Sequence, residues 1–261
     1  MPNILTTPIR EDREYTQLLE TVEKCFRGKS LPILASGLSG GSSDVLTVSL
    51  LEDTKEKRTG AALIICSEEK ECQRLRRDLE QFGLNAAFFV ARDLTFYNIT
   101  ASHEFEHERL KVLSGLLSGE LDVVITTPDV ALGYTIPPAT LKGRMISIDF
   151  DTRIEPADLA QKLVAAGYSR VDMVEVSGQF ALRGGIVDVY PPNGSFECAD
   201  GEVRVGSYPL RIEFFDDEID SMGAFDLTTQ RRTRNLESAL LLPAVELLPE
   251  CEPVSVLEYL P

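Results

Sequence analysis

The chain has 261 residues, of which 43% are hydrophobic and 26% are charged, as in an ordinary globular protein. Its formal net charge of −16 argues against strong DNA binding, because phosphate binding needs clustered lysine and arginine, and no local basic patch stands out. No apolar run reaches the roughly 20 residues of a membrane helix and the N-terminus has no signal pattern, so we expect a cytoplasmic protein without membrane contact.

The first 150 residues alternate between predicted helices and predicted strands. Helices are predicted at 13–27, from 45 onward, and at 68–82 and 104–117, and strands at 31–36, 61–66, 86–90, 122–126 and 144–150. Apolar strands separated by helices are typical of a parallel, doubly wound sheet, so an α/β domain is expected here. Near residue 152 the pattern changes to one helix at 156–166 followed by strands without intervening helices, which indicates a domain boundary and a small α+β domain.

A Gly/Ser segment between the first predicted strand and the next helix occupies the place of a nucleotide-binding P-loop, G-x-x-x-x-G-K-[ST]. Aligned on Gly37, the second glycine, the lysine and the Ser/Thr are replaced by Ser42, Ser43 and Asp44. The lysine normally meets the β- and γ-phosphates and the hydroxyl binds Mg²⁺. Loss of that cation and gain of a carboxylate predict a degenerate loop without tight ATP binding, although its backbone amides could still hold an anion weakly.

The segment His103-Glu104-x-x-His107 matches the H-E-x-x-H pattern of zinc proteases. On a helix the two histidines share one face, and Glu104 would act as general base. They are the only two histidines of the chain, and nothing downstream resembles the second helix that supplies the third ligand. A solvated helix start is therefore favoured and no metal or cofactor is expected, with a zinc-dependent hydrolase as the alternative function.

Two strand-like runs follow in the second half of the chain. Residues 186–190 are largely apolar and end at two prolines, and apolar side chains alternate with Arg211, Glu213 and Phe215 over 210–215. This period of two predicts a strand with one buried face, and the turn residues between the runs favour an antiparallel pair.

The order of residues in this region resembles one domain of two repair families. It reads R-G-G-I-V-D-V-Y-P-P over 183–192, P-L-R-I-E-F-F-D-D-E-I-D-S-M over 209–222, F-D at 225–226 and T-Q-R-R over 229–232. The resemblance is to the small α+β domain of the transcription-repair coupling factors (Mfd) and of the excision-nuclease subunit UvrB. In both families this domain is inserted into a helicase-type domain and docks on UvrA. The resemblance therefore implies a parallel, doubly wound P-loop-like domain with an inserted small α+β domain.

The same resemblance implies how the chain is divided. The run Leu240–Ala244 is similar to the point where the chain of the family returns to its first domain. We expect a degenerate P-loop-like domain 1a over 1–151, a UvrA-binding domain over 152–237, and the truncated start of domain 1b over 238–261, in a fragment of a larger protein. In UvrB a long aromatic hairpin that probes damaged DNA precedes the helix predicted at 104–117. The few residues after Tyr97 cannot hold such a hairpin, so damage verification is not expected.

The resemblance also implies which residues contact UvrA. Arg183 belongs to the R-G-G motif, Arg170 precedes it, and Glu213 lies in R-I-E-F-F. Tyr190 is predicted as a further apolar contact, and a position in the core is the alternative. Ala181 stands where UvrB has another contact arginine. A guanidinium suits a contact surface of this kind because its planar fork can form two parallel hydrogen bonds with one carboxylate. The alternative interpretation is that these residues form ordinary surface ion pairs.

The expected function is therefore that of a non-catalytic module that recruits UvrA and links stalled RNA polymerase to nucleotide excision repair. The DNA-translocating motor of the family would lie in the rest of the parent coupling factor. A UvrB-type ATPase and damage verifier is disfavoured by the missing lysine and the missing hairpin.

Overall fold

The computed structural model describes residues 6–26, 28, 32–38, 40–92, 104–246 and 252–260. The chain forms two compact units: Met1–Val90, Gly115–Leu132 and Val256–Pro261 in the first, and Ala91–Ser114 and Gly133–Ser255 in the second. None of the helices in the described ranges is long and apolar enough to cross a membrane.

The helices and strands of the described residues follow in chain order. The helices are α1 (Thr7–Arg10), α2 (Arg13–Cys25), α3 (Ser42–Asp53), α4 (Glu69–Gln81), α5 (Glu104–Ser118), α6 (Pro128–Ala131), α7 (Pro138–Arg144) and α8 (Pro156–Ala165), with a 3₁₀ turn at Val256–Tyr259. The strands are β1 (Ala62–Ile65), β2 (Ala86–Phe88), β3 (Val123–Thr126), β4 (Ile146–Asp149), β5 (Ser169–Arg170), β6 (Gln179–Arg183), β7 (Ile186–Tyr190), β8 (Gly194–Cys198), β9 (Val203–Gly206), β10 (Leu210–Phe215), β11 (Glu218–Phe225) and β12 (Arg232–Leu241).

The first unit contains a parallel sheet of three strands in the order β1-β3-β2. The central strand β3 is buried along its whole length, as expected for a parallel strand covered on both faces. Helix α4 covers the sheet with Cys72, Leu75 and Leu79, the apolar stripe of an otherwise charged helix. A mixed α/β fold is thus confirmed, and a helicase-type P-loop fold remains a prediction because it requires more than these strands.

Two strands predicted for the parallel sheet are not part of it. Residues 32–38 contain no strand, and Leu31 lies outside the described residues. Strand β4 forms as predicted, but it pairs antiparallel with β12, Ile148 opposite Ala239, in the second unit. The pattern of apolar residues predicts that a strand is buried but not which strand lies beside it. The prediction that β4 belongs to the parallel sheet is therefore wrong.

The second unit is built on a nine-stranded sheet in the order β5-β6-β7-β10-β11-β12-β8-β9, with β4 also paired to β12. The predicted antiparallel ribbon is confirmed, because β7 and β10 are direct neighbours with Val189 opposite Leu210. Helix α8 begins at Pro156, where proline is favoured because the first helical N–H needs no partner. Its Leu159 and Leu163 pack with β6, β7 and β10 in one fully buried core.

A buried ion pair joins α5 to the segment after β12 within the second unit. Arg109 Nε and Nη2 donate to the carboxylate of Glu246 at 2.6 and 2.9 Å, and the two side chains are 2% and 0% exposed. Thr135 Oγ1 donates to the same carboxylate, and the Glu246 N–H donates to Glu106 Oε1 at 2.8 Å. Both oxygens of this carboxylate accept hydrogen bonds from protein donors, which compensates for the burial of the charge.

We therefore predict that Glu246→Ala lowers the free energy of unfolding by about 3–5 kcal/mol, because it removes the buried carboxylate to which the Arg109 guanidinium donates two hydrogen bonds. Urea denaturation followed by circular dichroism measures the effect as a lower midpoint. Glu237→Ala, which removes an exposed carboxylate from β12, is the matched control and should shift the midpoint little. Equal midpoints for the two variants would contradict a structural role of the pair.

Candidate docking face on the antiparallel sheet

The candidate site is the face of β6, β7, β10 and β11 that points away from the core of the second unit. Side chains alternate along a strand, so the residues between the core positions stand together on this face. We define the docking face by two cross-strand rows of residues: Ala181, Asp188, Arg211 and Gly223 in the first, and Arg183, Ile186, Glu213 and Ser221 in the second.

The centre of the docking face is the carboxylate of Asp188, whose side chain is 3% exposed. Arg211 binds it in two ways, with Nε at 2.7 Å from Oδ1 and Nη2 at 2.9 Å from Oδ2. Arg183 Nη2 donates to the same Oδ2 at 2.5 Å. One buried carboxylate therefore holds two guanidinium groups, and its hydrogen bond raises the pKa of Arg211 above the ordinary value.

The two arginines differ in what they offer to solvent. Arg211 is 20% exposed, lies 4.8 Å from the centre of the Phe225 ring and donates to the carbonyl and side-chain oxygens of Gln230 at 3.3 and 3.0 Å. Arg183 is 50% exposed, and Asp188 is the partner of its side chain. Arg211 is thus a fixed structural group, whereas Arg183 presents most of its N–H donors outward.

Glu213 stands on the same face as one half of a surface ion pair. Arg232 Nη2 lies 3.2 Å from its Oε1, and the Ser221 hydroxyl donates to its Oε2 at 2.8 Å. Its side chain is 39% exposed, so the carboxylate remains reachable from solvent.

The other two predicted contact residues are placed differently from each other. Tyr190 pairs with Gln179, lies on the same side of β7 as Asp188 and Ile186 but outside the two rows, and is half-buried. Arg170 is exposed on the edge strand β5. The register pairs it with Phe180, whose side chain belongs to the core, and Arg170 therefore lies outside the two rows of the docking face. No ion pair of Arg170 is found among the described residues.

Sequence reasoning missed the roles of Asp188 and Arg211. The position of Asp188 inside the largely apolar run 186–190 is a sequence signal for its role, because a buried carboxylate requires a paired cation. The alternating pattern marks Arg211 only as one polar position among several, although it and Glu213 are two residues apart and therefore lie on the same side of β10.

An ion pair within the first unit joins α4 to the start of α3, where the sequence predicts a degenerate P-loop. Helix α3 begins at Ser42, and Asp44 in its first turn accepts from Arg74 Nη1 at 2.7 Å and Nη2 at 3.4 Å. The Ser43 hydroxyl lies 3.3 Å from Asp44 Oδ1, and Gly37 is exposed with a positive φ of 82°. The hydrogen bond to Asp44 raises the pKa of Arg74. A carboxylate paired with a cation thus lies in the first turn of α3.

The H-E-x-x-H segment is described only in part. His103 lies outside the described residues, Glu104 is the first residue of α5, and His107 Nδ1 lies 3.4 Å from the Ser177 hydroxyl. A separate group, Cys198, Asp200 and Glu202, has metal-ligand atoms within 4.8 Å of one another. Arg234 Nη1 lies 3.7 Å from Cys198 Sγ and 2.9 Å from Glu202 Oε2, so a cation of the protein already neutralises that group.

Comparison with known proteins supports the protein-docking interpretation. Residues 146–247 match the family described as the UvrB interaction domain. The chain is 31% identical over 252 residues to the transcription-repair-coupling factor of Bacillus subtilis. The aligned residues cover 95% of this chain and 20% of that protein. It is 27% identical over 221 residues to the factor of Escherichia coli, and this alignment covers 83% of this chain and 18% of that protein. It is 27% identical over 258 residues to the factor of Staphylococcus aureus, and this alignment covers 98% of this chain and 20% of that protein.

The chain spans about a fifth of the length of these relatives. The docking face lies entirely inside the matched domain. The resemblance predicted from the sequence is therefore confirmed: this chain is similar over most of its length to the transcription-repair coupling factors, and its residues 146–247 match the family of the UvrB interaction domain.

Proposed function

We propose that this chain recruits UvrA through the docking face, as the UvrB-like module of a transcription-repair coupling factor. It would act by protein contact and not by catalysis, and so link a stalled RNA polymerase to nucleotide excision repair. The observation that carries the proposal is the half-exposed Arg183 guanidinium, held by the buried Asp188 in a domain of the UvrB interaction family.

Arg183 has the properties of an interface arginine. Its bond to Asp188 limits the rotamers that the side chain adopts, so that less entropy is lost when a partner binds. The remaining donors of the planar guanidinium can pair with a carboxylate of the partner in a geometry that a lysine does not match. Arginines in such positions are among the side chains whose removal weakens complexes most.

The other predicted contacts form the surroundings of Arg183 in this proposal. Glu213 and Tyr190 share its face, and Glu213 would exchange part of its pairing with Arg232 for a cation of UvrA. Arg170 would contact UvrA from the sheet edge rather than from the face. The alternative, that these are ordinary surface ion pairs worth about 0–1 kcal/mol each, is what the experiment below tests.

The proposal assigns no nucleotide, damage-probing or DNA-binding role to this chain. The Asp44–Arg74 pair at the start of α3 supports a degenerate nucleotide site, because a triphosphate would meet a carboxylate there instead of a lysine. The stretch in which a damage-probing hairpin would be expected includes Tyr97, which lies outside the described residues, so its absence remains a sequence prediction. The division into segments 1–151, 152–237 and 238–261 is likewise proposed.

We predict that Arg183→Ala weakens binding to purified UvrA by about 30-fold, which corresponds to about 2 kcal/mol. Isothermal titration calorimetry measures the affinity, and a thermal melt shows that the domain remains folded. Arg204→Ala is the matched control, because Arg204 is a partly exposed, ion-paired arginine on the distant strand β9 of the same sheet. Equal affinities of the Arg183 variant and the wild type would refute the assignment of the site.

We also predict that the wild-type chain binds Mg²⁺·ATP no more tightly than millimolar, because the loop lacks a lysine and carries Asp44 in the first turn of α3. Calorimetric titration with Mg²⁺·ATP measures this, with a functional P-loop ATPase as positive control. Micromolar affinity would show that the site is not degenerate.

A further inference from the structure

Strand β9 stands at one end of the nine-stranded sheet. Among the described residues it pairs with β8 on one side and with no strand on the other. A free edge of this kind presents unpaired backbone N–H and C=O groups, which can pair with one further strand. β5, at the opposite end of the sheet, has two residues, whereas β9 has four and thus offers a longer row of these groups.

One hydrogen bond shows which backbone groups of β9 face the free edge. The Cys198 N–H donates to the Glu202 carbonyl at 2.8 Å, so the backbone groups of Glu202 face β8. This direction alternates along an antiparallel strand, so the backbone groups of Arg204 face β8 as well. The N–H and C=O groups of Val203 and Val205 therefore face the free edge.

The side chains of β9 do not protect this edge. Val203 and Val205 stand on one side of the sheet and are 61% and 52% exposed. Arg204 stands on the other side, and its Nη2 lies 3.0 Å from Glu202 Oε2, which Arg234 also binds. Natural edge strands are usually protected by charged side chains, a proline or a bulge. Here the charge of Arg204 is already neutralised by its neighbour, and apolar surface remains exposed beside it.

Charge decides how β9 would pair with β9 of a second copy of this chain. Outward backbone groups meet in the antiparallel registers centred on residues 202, 203, 204 or 205. The registers centred on Glu202 and on Arg204 place like charges directly opposite each other, which is destabilising. The register centred on Val205 places Arg204 opposite Gly206, which has no side chain. Only the register centred on Val203 places Glu202 of each copy opposite Arg204 of the other.

The same register brings the exposed valines together on the opposite side of the sheet. Val203 stands opposite Val203 of the second copy, and Val205 lies diagonal to it, within the reach of cross-strand neighbours. The N–H and C=O groups of Val203 then form hydrogen bonds with the same residue of the second copy, because directly opposite residues whose groups face each other exchange both bonds. Backbone, charge and apolar surface therefore agree on one register.

We propose that β9 is a self-recognition edge, through which two copies of this chain join their sheets about a twofold axis. Such an interface is isologous, because the same residues meet on both copies. Few residues of each copy take part, so the dimer is weak, with a dissociation constant on the order of 100 µM. The strands of the docking face are separated from β9 by β12 and β8, so the pairing uses none of the residues of that face.

Sedimentation velocity of the wild-type chain between about 10 µM and about 1 mM tests the proposal. We expect the weight-average sedimentation coefficient to rise with concentration toward that of a dimer. Val203→Pro should weaken the association at least tenfold, because proline removes the N–H that faces the free edge and leaves the bonds to β8 in place. A thermal melt checks that this variant is folded.

Two charge variants test the register without a proline. Glu202→Lys gives each copy two cations at the edge and Arg204→Glu gives it two carboxylates, so each variant alone should stay monomeric. The equimolar mixture of the two folded variants restores opposite charges at both pairs and should associate as the wild type does. Lys162→Glu makes the same change of charge as Arg204→Glu at an exposed position of α8. It is the matched control and should also associate as the wild type does.

A wild-type chain that stays monomeric over this range of concentration would overturn the proposal. Association that persists in Val203→Pro, or that the mixture of charge variants does not restore, would also overturn it, because the contact would then lie elsewhere. The titrations with UvrA are made at micromolar concentrations, at which so weak a dimer is dissociated. Self-association and docking on UvrA therefore succeed or fail independently of each other.

Discussion

The carboxylate of Asp188 is the group on which the docking face depends. It is almost fully buried in the middle of the sheet, and it is stable there because two guanidinium groups from neighbouring strands neutralise it. The same contact holds Arg211 on the Phe225 ring and holds Arg183 in a position from which it can reach a partner. Removal of this one carboxylate would leave a half-buried arginine without a counter-ion and an exposed arginine without a fixed geometry.

The register of the sheet decides which side chains accompany that centre. Arg183, Asp188, Arg211 and Glu213 share a face because β6, β7 and β10 are adjacent and aligned. Ordinary alternation along β10 places Ile212 and Phe214 on the core side and Glu213 and Phe215 on the other side. The bulge leaves Asp220 of β11 without an opposite residue and so brings the buried Ile219 opposite Phe214, which keeps the core continuous to the end of the hairpin.

Three ion pairs of this chain illustrate how burial sets the role of a charge. Arg109 and Glu246 are both fully buried and tie segments of one unit together. Arg74 and Asp44 lie nearer to solvent, with the carboxylate in the first turn of α3. Arg183 and Asp188 combine the two situations, with a buried anion and an exposed cation, and in the proposed function this asymmetry leaves the cation available to another protein.

The sequence alone determined many of the helices and strands and the resemblance to a family. The ribbon of β7 and β10 and helix α8 with its proline start could both be predicted, because apolar periodicity and turn residues are local properties. Only the tertiary structure decided that β4 joins the antiparallel sheet, that Arg170 stands at an edge, and that Arg211 shares Asp188 with Arg183. Each of these depends on which strands become neighbours, and the periodic pattern of a strand records how deeply it is buried but not the strand beside which it lies.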